Sequence, residues 1–454
     1  MVRPQQLTSA PGAPVRAHPP APPRTGLDRR RLLGALGGLP LVAGGLAGCG
    51  PEERAQVDDG PIELSVFWWG GTRRAEATEK ALRLYSQQNP RVSFRVTWQS
   101  LAGYYDRIAT QAAGGNAPDL FQIDDTLLTE YTQRQIVLDL TPYVVDQRLD
   151  LRGLPPSLVR YGQVAERTVA VAAAQTAAAL VWNRDLVRKL RLPEPHTGMQ
   201  WREYVDWAAR VTRVSNGRVA GTMDASGDYR AFWLWLRGQG SELYQGRQLG
   251  FSSAELLDWF EFWQVARSRR ATPSAALVEQ ADTGDLAHQL VVTGHTAASF
   301  AWSHQLPELQ RYTDDELAVS AFPGTPVAQW PRASMYWAGF RGSRHPGVVV
   351  DVLNFLTTNV AAGRILGYER GLNASLPVRE FVQASITDAA QKRVAALGAD
   401  LDDLLGPAPA PPPKGHAKVR ALLISAAESI RSGKSGARSA TSRFIAQANA
   451  ALAV

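Results

Sequence analysis

The chain holds a single cysteine, Cys49, in 454 residues, so it can form no intrachain disulfide and no thiolate cluster for zinc. It has no Gly-x-Ser-x-Gly elbow, no histidine pair at metal-binding spacing and no phosphate-binding loop ahead of a Lys-Ser/Thr pair. Serine hydrolases of the elbow type, helical zinc peptidases and P-loop nucleotide enzymes are therefore excluded, and neither metal nor cofactor is expected. No repeat of fixed period is present, which removes solenoids and propellers. No apolar run has the length of a bilayer span, about 20 residues. The run Leu32 to Ala47 stops at 16 and is rich in glycine.

What is present begins with that run. Arg29-Arg30-Arg31 precede it and Cys49 closes it, giving a charged region, an apolar region and a small-residue end, the layout of a secretory signal. Leu46-Ala47-Gly48-Cys49 resembles the lipobox of bacterial lipoprotein signals, and the arginine run followed by two leucines is similar to a twin-arginine export signal. The resemblance implies that residues 1–48 are removed and that Cys49 becomes the lipid-bearing first residue. The mature chain is then expected outside the cytoplasm, lipid-anchored to the outer face of the cell membrane, with no thiol left for catalysis. Residues 49–61, with Glu52, Glu53, Asp58 and Asp59, read as a solvated tether.

Charge follows the same division. The whole chain carries 49 basic and 42 acidic residues, a net of +7. Taking away the six arginines and the one acid, Asp28, of residues 1–48 leaves 43 against 41. The excess belongs to the targeting segment, and a nucleic-acid partner is not expected. About 400 mature residues without disulfides are enough for two hydrophobic cores. Tryptophan is abundant, with 13 residues, as many as phenylalanine.

The folded part starts at Ile62. Ile62, Leu64, Val66 and Trp68 alternate along one strand face, and Phe67 makes the other face apolar as in a buried strand. A helix through Ala77, Ala81, Leu84 and Tyr85 follows, stopped by Asn89-Pro90, then a strand through Val92, Phe94, Val96 and Trp98. A helical stripe at Tyr105, Ile108, Ala109 and Ala112 leads to a third strand at Asp119–Ile123. This alternation predicts βαβ units and a mostly parallel sheet. Strand-like runs at Thr168–Ala173 and Ala178–Asn183 precede helices with faces Trp201/Tyr204/Val205/Ala208, Tyr229/Phe232/Trp233/Leu236 and Leu256/Phe260/Trp263. Strands return at Thr296–Trp302, Leu317–Phe322 and Met335–Phe340, and a helix begins near Val348. The Pro/Ala stretch 407–413 reads as a surface linker between C-terminal helices.

Several blocks together resemble the extracellular solute-binding proteins of ABC importers, in the sugar-binding branch that includes maltose-binding protein. They are Val66-Phe67-Trp68-Trp69-Gly70-Gly71, then Tyr104-Tyr105-Asp106 through Gly114-Gly115-Asn116-Ala117-Pro118-Asp119-Leu120, then Leu138 to Tyr143. Val181-Trp182-Asn183-Arg184-Asp185-Leu186, Trp201-Arg202-Glu203, Gly294 to Ala298 and Gly371-Leu372-Asn373-Ala374-Ser375-Leu376-Pro377 continue the series over residues 62–380. Ala172 stands where the family usually has proline, and Trp182 where it has tyrosine.

The resemblance implies an α/β, two-lobed periplasmic-binding-protein-like fold of class II with the ligand cleft between the lobes. It divides the chain into 62–167 (first lobe), 168–322 (second lobe), 323–365 (first lobe again) and 366–454, C-terminal helices mainly of the second lobe. It also implies a monomer that captures a small sugar ligand and docks on ABC permease subunits.

Such a cleft needs flat apolar surfaces for sugar C–H faces and carboxylates or amides for hydroxyls. Trp69 is the first aromatic candidate, Trp68 being turned to the core by strand parity. Gly70 and Gly71 are candidates for close backbone approach. Asp124 and Asp125 follow a buried strand, with helix capping as the alternative role. Tyr229 aligns with a family position that stacks on ligand but also opens a core-type stripe, while Trp235 lies off that stripe. Trp302 with His304 and Gln305, then Trp337 and Asn373, complete the set. A non-catalytic sugar binder is the principal reading. One alternative is a secreted carbohydrate-active enzyme that pairs Asp124 with Asp228 or Glu242. The other keeps the fold and takes a quaternary ammonium ligand in a cage of Trp69, Trp302 and Trp337, or a polyol phosphate on Arg73.

Overall fold

A computed structural model describes residues 60–281 and 285–453. The signal, the lipobox at Cys49 and nearly all of the tether lie outside the described residues.

Two sheets organise the chain. Their strands are β1 (Ile62–Trp69), β2 (Val92–Gln99), β3 (Leu120–Ile123), β4 (Val171–Thr176), β5 (Ala178–Asn183), β6 (Ala298–Trp302), β7 (Leu317–Ala321), β8 (Arg332–Gly339) and β9 (Leu372–Asn373). The first sheet runs β9-β4-β8-β3-β1-β2, and the second runs β6-β5-β7. β1 pairs parallel with both β2 and β3, as the βαβ pattern requires. β8 joins antiparallel between β3 and β4, because it returns from the other lobe and not through a helical crossover. The expected mostly parallel character therefore holds for β1–β3 only. The second sheet is antiparallel throughout.

The chain changes lobe between adjacent strands. β4 hydrogen-bonds to β8 in the first sheet, and β5, one residue further on, is central in the second. Residues 168–176, assigned to the second lobe from the sequence, thus include a strand of the first sheet. The reason is visible in the packing: Val169, Ala170, Val171 and Ala172 are buried in the core built by Leu64, Phe67, Leu120, Phe121 and Tyr336. The return passes from β7 to β8.

The second core is aromatic. Trp201 stacks near-parallel on Phe300 with centroids 6.1 Å apart and meets Trp259 edge-on at 5.5 Å. Helix Trp201–Val214 enters this core with a capping box between Gln200 and Glu203 and presents Trp201, Tyr204, Val205 and Ala208 inward. Trp235, expected off the stripe, packs in the same cluster against Trp259 at 5.5 Å. This answers the tryptophan abundance: nine of the 13 are buried in the two lobes, at positions 68, 182, 201, 207, 233, 259, 263, 330 and 337.

C-terminal helices His416–Arg431 and Ala437–Leu452 add Val419, Leu423, Phe444 and Ala448 to the second core. The stretch 407–413 is more than a surface linker. Arg237 Nη2 donates to the Pro407 carbonyl at 2.8 Å, and Thr129 Oγ1 donates to that of Pro412 at 2.8 Å. Ala408 packs against both cores. Proline carbonyls keep their acceptors, so a Pro-rich loop can still be held by side-chain donors.

Candidate functional site

A cavity of about 390 Å³ opens between the lobes. The first lobe supplies Trp69 and Asp124–Thr126, and the second supplies Asp224, Asp228–Arg230, Trp302, His304 and Gln305. β8 contributes Arg332 at its start, and helix His416–Arg431 contributes Arg420, Ile424 and Arg431.

The polar groups are placed by helix starts. Asp124 follows β3 and N-caps helix Asp125–Gln133, its carboxylate accepting from the Thr126 amide at 3.0 Å. Asp228 does the same across the cleft for helix Tyr229–Arg237, accepting from the Arg230 amide at 2.8 Å. Burial and the adjacent Asp125 raise the Asp124 pKa, while Arg420 and the Thr126 bond oppose the shift. For Asp228, burial also acts upward, but Arg230 and the helix amides outweigh it and hold its pKa below the usual carboxylate range.

Asp125 does not offer a free carboxylate. It is 6% exposed and forms a buried ion pair with Arg332. The same Arg332 nitrogen donates to Tyr229 Oη at 3.0 Å, so one guanidinium joins a first-lobe acid to a second-lobe phenol. Arg332 also lies over the Trp302 ring at 4.7 Å, as does Arg230 at 4.8 Å. Arg230 is itself paired with Asp228 at 2.5 Å. Tyr229 carries Arg420 over its face at 4.3 Å.

Trp69 is half-buried at the cavity wall, its ring supported edge-on by Tyr104 at 5.0 Å and tilted on Tyr105 at 5.7 Å. Gln305 uses its Oε1 to accept from the Trp302 amide at 2.8 Å, which fixes the turn carrying Trp302. His304 Nδ1 lies 3.0 Å from Thr176 Oγ1. Burial, with the Arg74 and Arg230 guanidinia, pushes the His304 pKa down to about 3, so the ring is neutral at pH 7.

The cavity thus gathers Trp69, Asp124, Asp125, Tyr229, Trp302, His304 and Gln305, and leaves out Gly70, Gly71, Trp337 and Asn373. Trp337 is 2% exposed in the first core, edge-on to Trp68 at 6.5 Å. Asn373 is 8% exposed and pairs with Ala174 in the sheet. Gly70 makes room for Arg74: a Cβ there would sit 2.5 Å from Arg74 Cδ. Gly71 begins helix Thr72–Gln88. Sequence reasoning missed Arg230, Arg332, Arg420 and Arg431. The spacing of 420, 424 and 431 on one helix face was the available signal.

A cleft between two α/β lobes, with chain crossings behind it, defines a protein that holds a small solute between its halves. A family model described as bacterial extracellular solute-binding protein matches residues 70–363, and the chain belongs to that family. An extracellular solute-binding protein family 1 structure from Alicyclobacillus acidocaldarius is similar at TM-score 0.66 and 22% identity, over 87% of this chain and 99% of that one. A periplasmic oligogalacturonide-binding protein from Yersinia enterocolitica, in complex with saturated digalacturonic acid, is similar at TM-score 0.72 and 18% identity, over 86% and 98%. An ABC substrate-binding protein from Listeria monocytogenes in complex with cycloalternan gives 0.73 and 17%, over 87% and 99%. At these identities the likenesses establish the two-lobed fold. Membership places the working location outside the cytoplasm and the role in solute binding.

Proposed function

We propose that the chain is a lipid-anchored, monomeric capture protein that closes on a carbohydrate and delivers it to an ABC import permease. The observation that carries this reading is the pairing of one partly exposed tryptophan from each lobe, Trp69 and Trp302, with polar groups from both lobes around one cavity. Rings suit the C–H faces of a sugar, and Asp124, His304 and the arginines suit its hydroxyls. Only a closed form brings both sets onto the ligand, so binding shifts the population toward closure. Several solved relatives of this fold hold oligosaccharides, which supports the ligand class.

The competing readings lose their residues. An ammonium cage requires Trp337, which is core. Arg73 is exposed and lies outside the cavity, which leaves the polyol phosphate without its partner. A glycosidase needs two carboxyls free to face a bond. Asp228 is held by Arg230, and Glu242 by Arg237 and the Trp233 indole.

Calorimetric titration of the folded protein against a carbohydrate panel tests the ligand class, and saturable binding of at least one saccharide is the expected result. The anchor is tested separately. Cys49→Ser should move the protein from the membrane pellet to the soluble extracytoplasmic fraction, because the lipidated residue is gone. If the variant sediments with membranes as fully as wild type, the anchor assignment is wrong.

A further inference from the structure

Charge in the cavity is unevenly matched. Asp125 is committed to Arg332 and Asp228 to Arg230. Asp224 is committed to Arg267 at 2.7 Å and also accepts from the Ser226 amide and hydroxyl, at 2.9 and 2.5 Å. Two guanidinia on helix His416–Arg431 are matched less closely. Arg431 has a side chain only 3% exposed, stands 3.9 Å from the already engaged Asp224, and reaches Ser226 Oγ at 3.4 Å. Its Nε has no hydrogen-bond partner among the described residues. Arg420 donates to the neutral Thr126 Oγ1 at 2.7 Å and, among the described residues, forms no ion pair.

A buried guanidinium with unused donors is unfavourable unless a counter-charge arrives. The remaining cavity carboxyl, Asp124, is engaged as a helix cap, accepting from the Thr126 amide at 3.0 Å, and forms no ion pair among the described residues. Both arginines and Ile424 line the cavity from one helix, roughly 16 Å apart along its axis by the rise of 1.5 Å per residue. A guanidinium presents parallel donors that match a carboxylate or another oxyanion in a two-point bond. A neutral sugar gives these donors only hydroxyl acceptors and leaves the charge unmatched.

We propose that the captured carbohydrate is acidic, an oligosaccharide whose oxyanion groups meet Arg431 in the cavity and Arg420 at its first-lobe side. The inference rests on the carbohydrate reading above and specifies its ligand. Uronate carboxylates and phosphate esters share the chemistry, and separate ligands distinguish them.

The experiment is calorimetry at pH 7 with oligogalacturonate, the methyl ester of the same oligomer and a phosphorylated oligosaccharide, on wild type, Arg420→Gln and Arg431→Gln. The acidic oligomer, carboxylate or phosphate, should bind at least about tenfold tighter than the ester, and raised salt should weaken it. Each variant should lose about 10- to 100-fold for the acidic ligand and a clearly smaller factor for the ester, which offers the arginines neutral oxygens but no charge. Arg420→Gln keeps the test open if Arg431→Gln does not fold. Equal affinity for acid and ester, or an Arg420→Gln variant that folds and binds the acid as wild type, overturns the proposal. Binding of neutral saccharides alone also overturns it while leaving the carbohydrate reading in place. Failure of every saccharide, with the protein folded, removes both.

Discussion

Asp125→Ala should lower the unfolding free energy by about 3–5 kcal/mol, the range for removing one partner of a buried ion pair. Asp125 and Arg332 are each 6% exposed. With the carboxylate gone, the contacts left to the guanidinium among the described residues are the Tyr229 oxygen at 3.0 Å and the Tyr229 and Trp302 ring faces at 5.8 and 4.7 Å, none of which carries charge. The stranded cation, more than the lost bond, supplies the penalty. Two comparisons make the prediction specific. The double variant Asp125→Ala/Arg332→Met should be more stable than the sum of the single losses implies, because no charge remains unpaired. Asp351→Ala removes the partner of Arg148 in a pair whose side chains are 37% and 45% exposed, and should cost less than about 1 kcal/mol. Urea unfolding followed by tryptophan fluorescence measures all of them. A loss at Asp125 no larger than at Asp351 contradicts the buried-pair assignment.

Gly371→Ala should destabilise by about 3 kcal/mol or more while leaving the ligand affinity of the folded fraction unchanged. Gly371 sits at φ +119°, and an added Cβ would stand 2.4 Å from the Gln175 carbonyl oxygen. Gln175 faces Leu372 across β4 and β9, so the backbone cannot retreat without breaking that pairing. The penalty therefore combines a backbone conformation closed to L-residues with a direct overlap. The family-like block from Gly371 to Pro377 is on this reading a device for laying β9 beside the crossing strand. The same urea titration gives the stability, and calorimetry on the folded fraction gives the affinity. An unchanged midpoint contradicts the steric argument, and a lost affinity at unchanged midpoint places Gly371 in the site.

The first lobe was readable because its information is local. Alternation in Ile62–Trp69 sets which tryptophan faces the core: Trp68 is fully buried and Trp69 reaches the cavity. The Asp124–Asp125 pair was readable as a helix start at a strand end, and Asp124 is that cap. Strand parity could not place Trp337, because its burial depends on β8 lying between β3 and β4 in the sheet. That order is set by a crossing more than 200 residues from β3, which local patterns do not encode. Gly70 was read as an approach for ligand, whereas the space is taken by Arg74, which donates to the Glu369 carbonyl at 2.9 Å. The arginines were invisible for the same reason as Trp337. Arg332 stands on β8 and Arg420 and Arg431 on helix His416–Arg431, and only the folded chain brings these two segments to one cavity.

Calorimetric titration of the mature, folded protein with neutral and acidic oligosaccharides is the most direct test of capture between the lobes. Saturable heat with one ligand per chain, accompanied by a raised melting temperature, is the predicted result, since a ligand that binds only the folded state stabilises it. Flat titrations with every saccharide, together with binding of choline or betaine by the same sample, contradict it.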